Sequence, residues 1–147
     1  MAWVTTTTLG YAIGSGQVTA LFGGSQPTFD QFELGARGTI GAVLQHAGYE
    51  IPTTLTADTA ATGLIMQIAH ALIEEQAYAT RKGIAMPQAS TDRIAGARSL
   101  LDAIYSKKLP IPGWEPSTLA GIGGSKFSPT TGDSARAAAL NLRGTSF

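Results

Sequence analysis

Ala60–Arg81 reads AATGLIMQIAHALIEEQAYATR, the longest uninterrupted apolar-periodic run in the chain. Ala61, Leu64, Ile65, Ile68, Leu72 and Ile73 recur at three- and four-residue steps, so they share one face of a helix. Thr56 and Asp58 stand ahead of the run, where a hydroxyl or carboxylate satisfies the orphan amide protons of a first turn. Arg81, Lys82 and Gly83 close it, cations at the negative end and glycine where the chain turns out. So many apolar neighbours need more than one wall of partners. Met66 and His70 read as core or half-buried filler, since a lone His on an apolar helix has no second metal ligand at a useful spacing.

Working outward, the run has a helical neighbour on each side. Upstream, Phe29, Phe32, Ala36, Ile40, Val43 and Ala47 keep a three/four spacing from a cap at Thr28 to Tyr49, with Asp30 and Glu33 in the first turns. Glu33 and Arg37 are four apart, in the better orientation for an ion pair. Gly35, Gly38 and Gly41 interrupt this helix, each at a cost of up to about 1 kcal/mol relative to alanine. That cost points to close backbone approach, either across a subunit interface or within the monomer. Downstream, Ser90 or Thr91 caps a third long helix with Asp92 just inside and a stripe of Ile94, Ala97, Leu101, Ile104 and Tyr105. Lys107 and Lys108 fall in its last turn, complementing the helix dipole or contacting a phosphate or an acidic partner. Leu109-Pro110-Ile111-Pro112-Gly113 leaves the helix.

The two ends differ from this centre. Residues 1–14 carry four consecutive threonines and favour a short strand or an ordered extended arm, with Trp3 and Tyr11 packed on something, a neighbouring subunit included. Ser15–Phe22 makes two helical turns with Val18, Leu21 and Phe22 on one side, stopped by Gly23-Gly24. From Trp114 to Phe147, Gly, Ser, Thr and Pro dominate and the apolar residues are isolated. Such a segment buries too little to offset ordering entropy of roughly 1–2 kcal/mol per residue. It reads as an arm that orders on a partner, or a tail with no role, with a short helix at Ser134–Leu142. The fold expected is mainly α: a small bundle of three long helices plus a short N-terminal helix, an extended N-terminal segment and a long C-terminal arm. The bundle domain covers residues 1–113 and the arm residues 114–147.

Composition narrows the function classes. A length of 147 residues suits one domain. Charged residues at 14% are few for a free monomer and favour a surface that meets other proteins. The charges cancel in total but not in place. Residues 1–76 hold Arg37 alone against six carboxylates, and residues 77–147 hold nine cations against four. A chain of this polarity suits head-to-tail stacking, unless the clustering is accidental. No basic patch with interleaved aromatics marks a tight nucleic-acid site. With no cysteine, neither a disulfide nor a thiolate site is expected. Neither a signal peptide nor a membrane span is expected, so synthesis is placed in the cytoplasm.

Catalytic signals are thin. His46 and His70 lie on different helices without an adjacent acid of a Ser-His-Asp arrangement. Gly14-Ser15-Gly16 and Gly123-Gly124-Ser125-Lys126 lack the spacing of a phosphate loop. Glu74-Glu75 is a metal pair only if another helix adds ligands. No catalytic, cofactor or metal site is therefore expected. The best enzymatic candidate is His70 with Glu74, an i, i+4 pair.

The order of elements carries a resemblance. A short helix ending VTALFGG precedes an amphipathic helix closing in AGYEIP; then come LIMQIAHALIEEQAYATR, a Pro-containing loop and AGARSLLDAIYSKKLPIPG. The tail carries Ser125-Lys126-Phe127-Ser128 and ends Arg143-Gly144-Thr145-Ser146-Phe147. Over roughly residues 15–147 this pattern resembles the head–tail connector (adaptor) proteins of long-tailed double-stranded DNA phages, including those of Mu-like phages. The chain departs from that family in its Thr-rich start and its many helix glycines. The resemblance implies a structural virion protein of the neck. Its copies would form a ring, typically a dodecamer, below the portal protein, extending a channel through which DNA passes without specific binding. The ring would dock a stopper or tail-completion protein. The residues expected at partner or subunit contacts are Trp3, Gly35, Gly38, Glu74, Glu75, Arg81, Lys107, Lys108, Trp114, Lys126, Phe127, Arg143 and Phe147. The alternative is a non-viral oligomeric helical interaction module, a scaffold or regulator.

Overall fold

The periodic run around Ile68 does form the central helix, and its neighbours follow from what that helix needs covered. The computed structural model describes residues 2–55, 58–81 and 83–116. Among them are helices α1 (Thr6–Ile13), α2 (Ser15–Phe22), α3 (Gln26–Ala47), α4 (Ala60–Thr80) and α5 (Gln88–Tyr105), and no strand. The chain is mainly α, as its periodicity requires. α4 packs against both α3 and α5, which also touch each other, so the three long helices close around one core. α1 and α2 fold on each other at the Gly14 corner, and α2 lies against α3 and α4. None of the described helices is long and apolar enough to cross a membrane.

α4 starts and stops by local chemistry. Its N-cap is Thr59, not Thr56 or Asp58; the Thr59 hydroxyl accepts from the Thr62 amide. From Ile68 onward burial extends almost around the helix: Ile68, Ala69, Ala71, Leu72, Ile73, Glu74, Ala77 and Tyr78 are all buried. The alanines let α3 and α5 approach, and each fully buried isoleucine contributes roughly 1.5–3 kcal/mol. Phe29, Ile40 and Leu44 of α3 and Ala97, Leu101 and Ile104 of α5 complete the core. Phe22 caps one end edge-on to Phe29, ring centroids 5.1 Å apart.

The Thr-rich start departs from its expected extended form. Residues Thr6–Ile13 are helical. Thr5 and Thr8 form a reciprocal capping box: the Thr8 amide donates to Thr5 Oγ1 at 3.1 Å and the Thr5 amide to Thr8 Oγ1 at 2.9 Å. Capping hydroxyls and the complete burial of Leu9 outweigh the β-propensity of threonine. Helix starts shift similarly elsewhere. Ser25, not Thr28, precedes α3, with Pro27 in its first turn. α5 begins at Gln88 after Pro87, which leaves Ser90 inside the helix, not at its cap. Tyr105, expected in the α5 stripe, is 49% exposed and stacks on His46 at 3.9 Å.

Two helix ends use the same closure. After α3, Gly48 is left-handed (φ 93°); the Tyr49 amide donates to Leu44 O at 2.8 Å and the Gly48 amide to Gln45 O at 3.1 Å. After α5, Lys108 donates to Ala103 O at 2.8 Å and Lys107 to Ile104 O at 3.0 Å. Here the left-handed position is Lys107 (φ 62°). The two lysines therefore lie just past α5, not in its last turn, where they were expected. A side chain in this conformation costs roughly 1–2 kcal/mol. Lys107→Gly should raise unfolding free energy by about 1 kcal/mol, whereas Gly48→Ala should lower it by at least as much. Urea unfolding midpoints at equal slope check both signs.

Candidate interaction surface

Where the polar side chains go determines which surface is left for a partner. Glu74, one turn after His70 on α4, has no exposed surface at all. Its carboxylate accepts from Ser90 Oγ and takes a two-pronged bond from Arg93, Nε to Oε1 at 3.2 Å and Nη2 to Oε2 at 2.9 Å. Arg93 Nη2 also donates to Ser90 Oγ at 3.0 Å, which closes the triangle. The next residue, Glu75, holds Arg98 in the same forked geometry at 3.0 and 2.7 Å. The Glu75 hydrogen bond raises the Arg98 pKa above its usual value, yet Arg98 is 55% exposed, so this pair contributes no more than about 1 kcal/mol. Both acids expected at a subunit contact instead join α4 to α5 within the chain, because nearby arginines of the same chain reach them first.

At the other end, Glu33 is buried on the apolar face of α3 and accepts from the Trp3 amide at 2.7 Å. Its other oxygen lies 3.6 Å from Arg37 Nε. The Trp3 indole donates to Pro52 O at 3.2 Å. Trp3 is only 5% exposed and belongs to the chain's own core, so it is not open to a neighbouring subunit. Gly35, also expected at an interface, is exposed and flanked by a side chain of its own chain: a Cβ there would meet Gln76 Oε1 at 3.1 Å. A side chain rather than another backbone fills that space. Gly38 differs, with nothing within 4 Å of an added Cβ.

Gly38 lies in a shallow groove of about 640 Å³ along the outer face of α3. Gly38, Gly41 and Ala42 make its floor, and Leu34 (54% exposed) and Ile51 (46% exposed) stand beside them. Ile51 leans over Gly41, where a Cβ would meet its Cδ1 at 3.2 Å. Across the 51–53 ridge is a second groove of about 490 Å³, bordered by Tyr49, Glu50, Trp114 and Glu115. Trp114, expected to begin a free arm, is half-buried against the core, its ring 6.4 Å from that of Tyr49. Tyr49 Oη in turn accepts from the Ile111 amide at 3.1 Å. Arg81, Lys107 and Lys108 are exposed, and the Arg81 guanidinium sits over Gly23, 2.6 Å from where a Cβ would be. Lys126, Phe127, Arg143, Phe147 and the expected helix at 134–142 lie outside the described residues.

Of the expected contact residues, the structure therefore brings Gly38 and Trp114 to the two adjoining grooves, takes Trp3 and Glu74 into the interior and leaves Gly35 exposed beside Gln76. Sequence reasoning missed Leu34, Glu50 and Ile51 as surface-forming residues and Ser90 and Arg93 as partners of Glu74. The i, i+3 spacing of Ser90 and Arg93 was the available signal for the latter.

His70 and Glu74 line neither groove. Burial pushes the His70 imidazole below its usual pKa of 6.5, and the Glu74 charge offsets this only in part. Among the described residues no group of three His, Asp or Glu could hold a metal ion. Compared with known proteins, the chain matches no family model, no curated protein and no solved structure.

Two outcomes follow from the polar groups. Arg93→Ala leaves the Glu74 carboxylate buried without its cation and should cost about 3 kcal/mol, against less than about 1 kcal/mol for Arg98→Ala; denaturant titration of the two variants ranks them. For His70, the unfolded chain binds the proton more tightly than the folded one. Its contribution to stability is thus retained above pH 6.5 and lost as pH falls from there through the lowered folded value. His70→Gln should lose less stability than the parent between about pH 7.5 and about pH 5, read by urea unfolding at each pH.

Proposed function

We propose that this protein is a structural component of a phage virion: a head–tail connector subunit that assembles as a homo-oligomeric ring, a dodecamer by resemblance, at the neck. In this reading the ring sits below the portal protein, extends the DNA channel and docks a stopper or tail-completion protein. The observation that carries it is the uncovered face of α3, where Leu34, Gly38 and Ile51 help form an apolar groove while the two glutamates of α4 pair with the two arginines of α5. A surface so arranged suits contacts with other protein chains. The resemblance in the order and endings of the helices supplies the viral setting. Passage of DNA without specific binding is what the resemblance implies; Arg93 and Arg98 are committed to carboxylates, while Arg81, Lys107 and Lys108 are exposed.

The same groove also favours a second reading, a non-viral oligomeric helical module acting as scaffold or regulator, because an exposed apolar face of this kind suits contact with a second copy about a two-fold axis. Light scattering separates the two: a compact, stable dimer supports the second reading. For the connector, deletion of residues 126–147 should abolish attachment to portal-bearing heads while leaving the helical circular dichroism signal largely intact. Normal attachment of the truncated chain would remove the arm from the assembly step.

A further inference from the structure

Two sets of charge stay on the surface after the arginines have found carboxylates. Glu50 and Glu115 are exposed on the border of the second groove, and Lys107 and Lys108 are exposed on the turn after α5. Among the described residues none of these four takes part in an ion pair, whereas Arg37, Arg93 and Arg98 each lie beside a glutamate. The chain thus carries both halves of a contact that it does not make with itself. Neither half is free to swing toward the other. The turn is held at its base, the Lys107 amide donating to Ile104 O at 3.0 Å and the Lys108 amide to Ala103 O at 2.8 Å. The groove is held by the Tyr49 amide, which donates to Leu44 O, and by Tyr49 Oη, which accepts from the Ile111 amide. Segments fixed in advance lose little freedom on binding.

The turn also keeps a lysine where glycine is cheaper. Among the described residues Lys107 is the non-glycine residue with positive φ, at 62°, while the matching closure after α3 uses Gly48. Strain of this kind persists where the side chain serves something other than folding. The groove is built to receive such a side chain. Half-buried Trp114 stands in its wall with Ile51 and Pro52. A lysine lays its four-carbon stem along apolar surface of this sort and presents its ammonium to a ring face or to a carboxylate.

We propose that the Lys107–Lys108 turn of one copy of this chain docks in the groove between Glu50 and Glu115 of a second copy, with the lysine stems against Trp114. This rests on the self-association that the two readings above share, and it names the surfaces that meet. Two copies that exchange both halves stop at a dimer. Copies that give a turn to one neighbour and take a turn from another continue until a ring closes.

Sedimentation velocity of the full-length chain over a concentration series tests the contact. The parent should self-associate, and less so as salt is raised. Lys107→Glu with Lys108→Glu sets like charges against each other and should raise the dissociation constant at least about tenfold; Glu50→Lys with Glu115→Lys should do the same. An equimolar mixture of the two variants should regain the parent's association, because each altered turn then meets an altered groove and each native turn a native one. That recovery also shows both variants folded. Lys107→Gly removes one charge and the strain together, so its unfolding midpoint should rise while its association weakens; a lysine that served the fold alone would leave association unchanged. Variants that associate like the parent, or a mixture that stays apart, overturn the contact and leave the oligomeric readings standing. A parent that remains monomeric at millimolar concentration overturns the contact together with the self-association on which it rests.

Discussion

A carboxylate with no access to water lies between α4 and α5, and the bundle can close only if it is answered. Glu74 is answered completely, by Ser90 and by both prongs of Arg93. Replacing such an arrangement with apolar residues of the same volume can be neutral or even stabilising, so its worth lies less in net energy than in what it forbids. Sliding α5 along α4 by one turn would leave Glu74 buried without its cation. The apolar stripe of α5 tolerates such slips, because Ile, Leu and Ala pack in more than one register. A single ion pair on a buried carboxylate, with one serine hydroxyl, thus fixes a helix pair that hydrophobic contact alone would leave loosely specified.

How much of this was legible in the sequence depends on the distance over which each decision is made. The long helices were legible because their apolar spacing is a property of each segment by itself: Phe29 to Ala47, Ala61 to Ile73 and Ala97 to Ile104 all carry core residues. Helix starts were less so. Thr56, Asp58 and Thr59 are all competent caps, and only backbone geometry selects Thr59. The Thr5–Thr8 run was misread because propensity describes threonine as an interior residue, whereas two of the four act as a cap.

The candidate surface was hardest to read, for a physical reason. Glu33 and Glu74 both look like surface acids until the partner that dehydrates each is known, and those partners are 30 and 16–19 residues away. The α3 glycines suggest close backbone approach, and no backbone lies against any of the three. Gln76 fills the space at Gly35, Ile51 fills it at Gly41, and Gly38 is left open. The contrast among three glycines of one helix separates packing from recognition. Only the open one marks a face that other chemistry can use, and the connector reading rests on that face together with the order of the helices.

The short segment from Tyr49 to Pro52 has a further consequence. Pro52 O holds the indole of Trp3, near the beginning of the chain, and Tyr49 Oη holds the Ile111 amide, beyond the last helix. Both ends of the bundle are thus tied to one strip of four residues. Tension applied between the first residues and residue 116 would load that strip together with the bond from the Trp3 amide to Glu33 of α3. The two chain ends are thus fastened to the same side of the bundle, by the strip and by Glu33, so a pull on them is shared among three hydrogen bonds before α3, α4 and α5 bear it one after another.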